Sequence, residues 1–235
     1  MIGATKIDWT DGTWNPVTGC TKFSAGCDHC YAAKMAPRLR GMGHWKYRNG
    51  FEVTCHPEVL MKPYSDKKPK KIFVNSMSDL FHDEVSEDFI WQTFEAMGAA
   101  SWHKFQVLTK RADRLAAIAP KLPWHQNIWM GVTIENDNAA YRAELLRQTP
   151  AAVKFVSLEP LLSPLPSLDV VGLDWVIVGG ETGPGARPML EPWVRDLRDC
   201  AVGAGVPFFF KQWGGPNNKT RGKLVQGRRW TQFPA

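Results

Sequence analysis

The sequence is poor in cysteine, with five in 235 residues, and the odd count and sparse placement exclude a disulfide framework. No apolar run approaches the roughly eighteen residues that a membrane span requires. The stretch Met1 to Trp9 contains no apolar signal region, which predicts a cytoplasmic protein whose thiols stay reduced and which has no membrane partner. An internal repeat, a low-complexity tract and a convincing interdomain linker are also missing. What remains is an ordinary globular composition, 44% apolar, enough for one large domain or two small ones. Basic residues outnumber acidic ones, 29 to 23, so the net charge is +6 and the surface is expected to be basic.

The few cysteines are unevenly spread. Cys20, Cys27 and Cys30 form a C-x6-C-x2-C cluster. Three soft ligands so close together point to zinc or an iron-sulfur centre, because two cysteines separated by two residues reach one centre from a single turn. A structural zinc site fills four positions, whereas three protein ligands leave one position open for a reactant. Cys55, His29, His44 or His56 would supply a fourth ligand on the zinc reading, and both readings stand at this point. Gly19 and Gly26 each precede a cysteine, where left-handed backbone would let peptide N–H groups face sulfur. Cys200 lies in a helix-like stretch and is expected to be a small buried apolar residue.

Short β-branched or aromatic runs recur at Ile72 to Asn75, Phe105 to Thr109, Ile128 to Thr133, Val153 to Ser157, Trp175 to Gly179 and Pro207 to Lys211. Helix-like segments fall between most of them, at Ser86 to Trp102, Ala112 to Ala119, Asn138 to Gln148 and Pro192 to Ala204. Leu161 to Leu173 carries Pro164 and Pro166, so that crossover is expected to be irregular. An added strand around Thr13 to Val17 makes seven. The alternation predicts an α/β fold, a parallel sheet with outer helices in a barrel or doubly wound form. Residues 43–71 look like an insertion, and 214–235 like a glycine-containing basic tail.

Polar groups follow the runs: Ser76, Ser78 and Asp79; Lys110 and Arg111; Glu135; Glu159; Gly180 and Glu181; Gln212 and Trp213. In parallel α/β folds the loops at the carboxyl ends of strands build the ligand site, so these segments and the cysteine loop are expected to converge. Basic residues gather at Lys67, Lys68, Lys70 and Lys71, and again at Lys219, Arg221, Lys223, Arg228 and Arg229 around Trp230. Cations beside aromatics suit a polyanion whose bases stack, which favours a nucleic acid or nucleotide substrate.

The cysteine loop followed by βα units resembles the radical S-adenosylmethionine (radical SAM) superfamily. The phrases Trp14-Asn15-Pro16-Val17-Thr18-Gly19-Cys20, Gly26-Cys27-Asp28-His29-Cys30-Tyr31-Ala32, Val74-Asn75-Ser76-Met77-Ser78-Asp79-Leu80-Phe81, Leu108-Thr109-Lys110-Arg111, Ser157-Leu158-Glu159-Pro160-Leu161 and Gly179-Gly180-Glu181-Thr182-Gly183 resemble the three-Cys-motif proteins of phages and prophages. The resemblance implies a partial, open TIM-like barrel of about six to seven parallel strands in residues 1–213, with 214–235 as a tail. It further implies a 4Fe-4S cluster on Cys20, Cys27 and Cys30, SAM chelated to the open iron, an external one-electron donor, and reductive cleavage to a 5'-deoxyadenosyl radical. The superfamily's common spacing is C-x3-C-x2-C. The longer first interval here is sterically tolerable, since seven residue steps reach roughly 24 Å when extended.

On that resemblance, Ser76, Ser78 and Asp79 are expected at the methionine amino group, Lys110 at its carboxylate, Glu135 or Glu159 at ribose, and Gly179, Gly180 and Glu181 near the rest of SAM. His29 occupies the position where the superfamily places an aromatic against adenine. Lys211, Gln212 and Trp213 at the open end, and Arg228, Arg229 and Trp230 in the tail, are the expected substrate contacts. The competing expectation is a zinc-stabilised nucleic-acid-binding or interaction protein without redox chemistry.

Overall fold

In the computed structural model, which describes residues 2–216 and 222–235, the apolar runs become strands whose two faces serve different purposes. The elements in chain order are β1 (Gly12–Trp14), β2 (Val17–Thr18), α1 (Tyr31–Gly41), β3 (Thr54–Cys55), α2 (Lys62–Ser65), β4 (Lys71–Val74), α3 (Glu87–Ala99), β5 (Lys104–Thr109), α4 (Ala112–Ile118), β6 (Ile128–Thr133), α5 (Tyr141–Arg147), β7 (Val153–Leu158), β8 (Trp175–Gly179), α6 (Glu191–Gly203) and β9 (Phe208–Gln212). Seven strands form one sheet in the order β1-β4-β5-β6-β7-β8-β9, every pair parallel. Strands that neighbour in sequence neighbour in space, so the sheet curls one way into an open, TIM-like half-barrel with helices outside.

Alternate side chains point to opposite faces of the sheet. One set, including Ile72, Val74, Phe105, Val107, Met130, Val132, Val156, Val178 and Phe208, packs under the helices. The other set, Phe73, Trp129, Phe155, Trp175, Ile177 and Phe209, meets Trp9 inside the curl and fills its floor with aromatic rings. Two residues further along the same strands the lumen-facing positions turn small or polar: Gly131, Ser157, Gly179 and Lys211. A space bounded by a hydrophobic floor and a polar rim results at the carboxyl ends of the strands.

The long apolar runs fall where the sequence places them, and helix α3 starts at the Ser86 cap, whose hydroxyl accepts from Phe89 N at 3.2 Å. The irregular crossover at 161–173 contains no helix. Three differences have physical causes. The expected Thr13 to Val17 strand is split, because after Trp14 the chain leaves the sheet and Val17–Thr18 pairs antiparallel with Thr54–Cys55. The 43–71 segment is therefore the partner of that ribbon. Helix α1, for which no apolar run gives notice, buries Ala32 and Ala36 against Tyr47 and Met77, with Leu39 partly buried beside them.

The carboxyl-terminal segment is the third difference. Phe210 N donates to Trp230 O and Gln232 N to Phe208 O, so residues 230–232 run antiparallel along β9 and cover that sheet edge. Trp175 Nε1 donates to Gln232 O at 2.8 Å, and Phe233 packs on Trp175 and Phe209. Gly3 bridges Thr13 at the opposite edge. Lys219 and Arg221 lie outside the described residues. Among the described residues no helix is long and apolar enough to cross a membrane.

Candidate metal centre at the mouth of the barrel

The cysteine loop begins where the β2–β3 ribbon ends. Asn75, in a left-handed conformation with φ 59°, turns its side chain so that Oδ1 accepts from Val17 N, and Ser78 Oγ donates to Val17 O. Gly19 has φ +82°, and a Cβ there would stand 2.1 Å from Glu52 O, so the turn into Cys20 requires glycine. Gly26 is not left-handed. It lies against the mouth instead, where an added Cβ would meet Glu135 Cγ and Lys110 Cε at 3.4 Å.

Three residues of the six-residue interval, Thr21, Phe23 and Ala25, are tied to the rim. The Thr21 hydroxyl meets His82 Nε2 at 2.7 Å and accepts from Arg111 Nη2 at 3.1 Å. The ring of Phe23 lies 5.0 Å from the Arg111 guanidinium and 5.5 Å from that of Arg142. Ala25 O accepts from Arg187 Nη2 at 2.9 Å. Cys27 N then donates to Ser24 O, Cys30 N donates to Cys27 O, and Cys30 caps the amino end of α1. The loop thus spans the ends of β5, β6 and β8, which accounts for its length.

All three thiols are half-buried. Burial and the nearby Asp79 push the Cys20 thiol up to about 11, against the Arg111 Nη1 donor 3.8 Å from its sulfur. Ligation by a cation would reverse that preference for the thiol form. Three of the four alternative fourth ligands are engaged away from the loop: Cys55 pairs with Val17 and packs on the core, His56 meets Thr18 Oγ1 at 2.8 Å, and His44 packs on Tyr47, while His29 stays on the loop with its Nδ1 2.9 Å from Glu181 Oε2. Cys200 is exposed, not buried as its helical setting suggested.

Beneath the loop the rim carries four ionic assemblies. Asp79 accepts from Phe81 N, Thr109 Oγ1, Lys110 N and Arg111 Nη1, so its carboxylate is fully used in organising the β4 and β5 ends rather than free for a ligand. Glu135 is fully buried and pairs through Oε2 with Arg142 Nη1 at 2.9 Å, and its Oε1 has no partner. Glu159 Oε2 is 3.2 Å from Lys211 Nζ, and its Oε1 is likewise buried without a partner. Ser157 Oγ, between these two carboxylates in the strand register, is a further unpartnered buried acceptor or donor. Buried polar groups ordinarily find hydrogen-bond partners, and these three at the strand ends have none within the protein.

The fourth assembly joins the cysteine loop to the end of β8. Glu181 accepts from Arg187 N, Nε and Nη2 and meets His29 Nδ1 at 2.9 Å. Burial works against its charge, but the Arg187 and His29 hydrogen bonds prevail and hold its pKa at about 2. Arg187 also reaches Asp28 at 3.4 Å. The adjacent glycines make room for protein rather than for an open backbone approach. A Cβ on Gly179 would be 2.4 Å from Glu159 Oε1, and one on Gly180 2.1 Å from Trp213 O.

Ser76 and Ser78 sit beside the loop with their hydroxyls turned to Asn15 Oδ1 and Val17 O. Lys110 reaches over the mouth beside Gly26, and among the described residues no carboxylate lies within ion-pair distance of it. Lys211 faces the lumen, and Gln212 exchanges hydrogen bonds with Gly180. The remaining expected substrate contacts lie elsewhere. Trp213 packs on Phe210 and donates to Leu224 O, on the helix side of the sheet. Trp230 packs on Phe208 between Arg198 and Arg228, also on that side, and Arg229 is exposed on the same segment. Phe23, Arg142 and Arg187 escaped the sequence reading. Arg142 falls seven residues after Glu135 and Arg187 six after Glu181, but only the folded loops bring each pair into contact.

An open half-barrel of parallel strands with a three-cysteine loop over its mouth is the class that fold and site define. The chain belongs to the family described as "Protein of unknown function (DUF5131)", which matches residues 4–234. No curated protein matches it. Among solved structures it is similar to spore photoproduct lyase complexed with dinucleoside spore photoproduct, at TM-score 0.50 and 11% identity. A cysteine-to-serine mutant of that lyase matches at 0.51 and 12%, and a double mutant with bound AdoMet and dinucleoside spore photoproduct at 0.50 and 10%. Each match covers 86% of this chain and 64% of the other, and the likeness is one of fold. The chain thus spans less than two thirds of the length of the lyase.

Proposed function

We propose that the chain is a radical SAM enzyme acting on a nucleic acid or nucleotide, with residues 1–213 as its catalytic unit and the 214–235 segment bracing the last strand. The observation that carries this reading is the placement of three half-buried thiols on one loop above Glu135, Glu159 and Ser157, whose buried polar atoms lack partners. Among the described residues no three Cys, His, Asp or Glu side chains are gathered closely enough to hold a metal ion, so the three thiols, with Cys55 turned into the core, fit a cluster with one open coordination position by ligand type and number and would draw together on loading. The half-barrel is also the fold of a lyase solved with AdoMet and a dinucleoside lesion bound, which supports the cofactor and the substrate class.

Cys20, Cys27 and Cys30 would hold a 4Fe-4S cluster. Such a cluster, reduced by an external donor, would supply the one electron that cleaves the C5'–S bond of SAM to methionine and a 5'-deoxyadenosyl radical able to take hydrogen from carbon. The chain's own residues orient and exclude. Lys110 Nζ is the cation for the methionine carboxylate, and the serine pair at 76 and 78 borders its amino group. Glu135 Oε1, Glu159 Oε1 and Ser157 Oγ accept from ribose hydroxyls or the ammonium. His29, held by Glu181, presents its ring beside adenine. The aromatic floor keeps water from below, and Asp79 sets the positions of Lys110 and Arg111 through the hydrogen bonds it accepts. The resemblance to the phage and prophage three-Cys-motif proteins supports this reading, with the chain at work in the cytoplasm.

Anaerobic reconstitution with iron and sulfide, followed by reduction in the presence of SAM, tests the reading. Close to four irons per chain and formation of 5'-deoxyadenosine are expected. One tightly held zinc, or a loaded cluster that never cleaves SAM, would refute it.

A further inference from the structure

Helix α1 leaves the metal centre with one face unused. Ala32 and Ala36 are buried, whereas Tyr31, Lys34, Met35 and Arg38, at i, i+3, i+4 and i+7, share the opposite face and are all exposed. Between this face and the Thr182 to Pro184 loop after β8 lies a groove of about 580 Å3 that reaches His29, next to the last cysteine. Its lining includes Lys34 and Arg38 and no carboxylate.

The charge continues beyond the groove. From Cys30 to Phe51 the chain has Lys34, Arg38, Arg40, Lys46 and Arg48 and not one Asp or Glu. Lys34, Arg38, Arg40 and Arg48 are exposed and, among the described residues, have no ion-pair partner. Trp45, 45% exposed, follows on the next turn. Tyr31 is 55% exposed, yet its hydroxyl donates to Ser76 O, so the ring is fixed at its far end while its face stays open. A ring held in this way is a stacking platform with little ordering entropy left to lose.

The described residues of the other two basic clusters lie away from the mouth. Lys67, Lys68, Lys70 and Lys71 lie at the amino ends of the strands, where Lys104 N donates to Lys70 O, and Lys67 sits over Tyr64 and Trp102. The Trp230 segment is laid along β9 with its indole packed under Arg198. The α1 strip combines unpaired cations, an open aromatic face and continuity with the cysteine loop.

We infer that the α1 groove binds a single-stranded nucleic acid, with Lys34, Arg38 and Arg40 along its phosphates and one unpaired base stacked on Tyr31. Unpaired bases are required because a ring face can stack only on a base outside a duplex. The inference names the docking path for the substrate class proposed above and rests on that reading only for what happens next at the metal.

Binding of a fluorescent ten-nucleotide strand, in DNA and RNA arms, is measured by anisotropy on the full chain as purified, with metal content and SAM cleavage determined separately. Lys34→Gln with Arg38→Gln is expected to weaken binding at least tenfold and to lower the slope of log affinity against log salt by about 1.4, since each charge on a single strand contributes roughly 0.7. Tyr31→Ala is expected to weaken binding roughly 5- to 100-fold and Tyr31→Phe to retain most of it. Lys68→Glu with Lys104→Glu, at the far end of the barrel, should leave it unchanged. Wild-type affinity in the α1 double variant, equal affinity for duplex, or equal affinity for a base-free polyanion of the same charge would each overturn the inference. A protein that binds the strand through α1 but never cleaves SAM would refute the proposed chemistry while leaving the groove standing.

Discussion

Phe23 lies under Arg111, ring centroid to guanidinium 5.0 Å, and the same ring is approached by Arg142 at 5.5 Å. An exposed aromatic inside a cysteine interval is thereby clamped to the ends of two strands, β5 and β6. Each cation–π contact at such a site is worth about 0.5–1 kcal/mol. Phe23→Ala should therefore lower the melting temperature by roughly 3–6 °C in a chain of this size and hasten loss of iron in air. Unchanged melting and iron retention in calorimetry and iron assays would show that the clamp does not hold the loop.

Asp79→Ala should be the most damaging change at the rim. It leaves the buried Arg111 guanidinium and three further donors without their acceptor. Removing one partner of a buried ion pair costs about 3–5 kcal/mol. Urea unfolding should report a loss of that order, whereas Ser76→Ala, whose hydroxyl only meets Asn15, should stay within about 1 kcal/mol.

Cys55 separates an iron-sulfur centre from a four-cysteine zinc site. Its side chain packs on the hydrophobic core beside the β2–β3 pairing. Cys55→Ala should keep full iron content after reconstitution, at a small stability loss of about 1 kcal/mol. Cys20→Ser, Cys27→Ser and Cys30→Ser should each lose most of the iron. Equal losses in all four variants would contradict the three-ligand centre.

The Glu181 assembly makes stability depend on acid. Its folded pKa, about 2, is depressed from the ordinary 4.5, so its contribution is fully present above about pH 4.5 and fades as pH falls toward 2. A shift of this size corresponds to on the order of 3 kcal/mol at neutral pH. Glu181→Gln should be less stable at pH 7 and should show a flatter stability profile between pH 4.5 and 2 in denaturant titrations. Parallel profiles for the two proteins would remove Glu181 from the acid response.

Much of the fold was legible because each parallel strand is buried on both faces and therefore appears as a continuous apolar run. Ile128–Thr133 and Trp175–Gly179 match their predicted bounds. Short elements were not legible: α1 buries only two alanines, and β2 and β3 are two residues each, too few for any period to appear. Convergence of the rim was foreseen for Lys110, Glu135, Glu159, Lys211 and Glu181, since polar residues at strand ends share one end of a parallel sheet by geometry. The direction each side chain takes was not. Trp213 and Trp230 look like mouth residues in sequence and lie on the helix side, because the returning 230–232 strand fixes which face of β9 they meet.

The sequence alone determined the chemistry on offer, three cysteines in an interval of six and two, and the parallel α/β sheet that carries them, since residue type and periodicity are local properties, while the half-barrel form was implied by the family resemblance. Tertiary structure decided which cations hold the loop and which remain open. Arg111, Arg142 and Arg187 are drawn onto Phe23, Glu135 and Glu181, while Lys34 and Arg38 are left facing solvent beside Tyr31. A guanidinium's partner is set by which strand ends the curled sheet brings together, and no spacing along the chain records that.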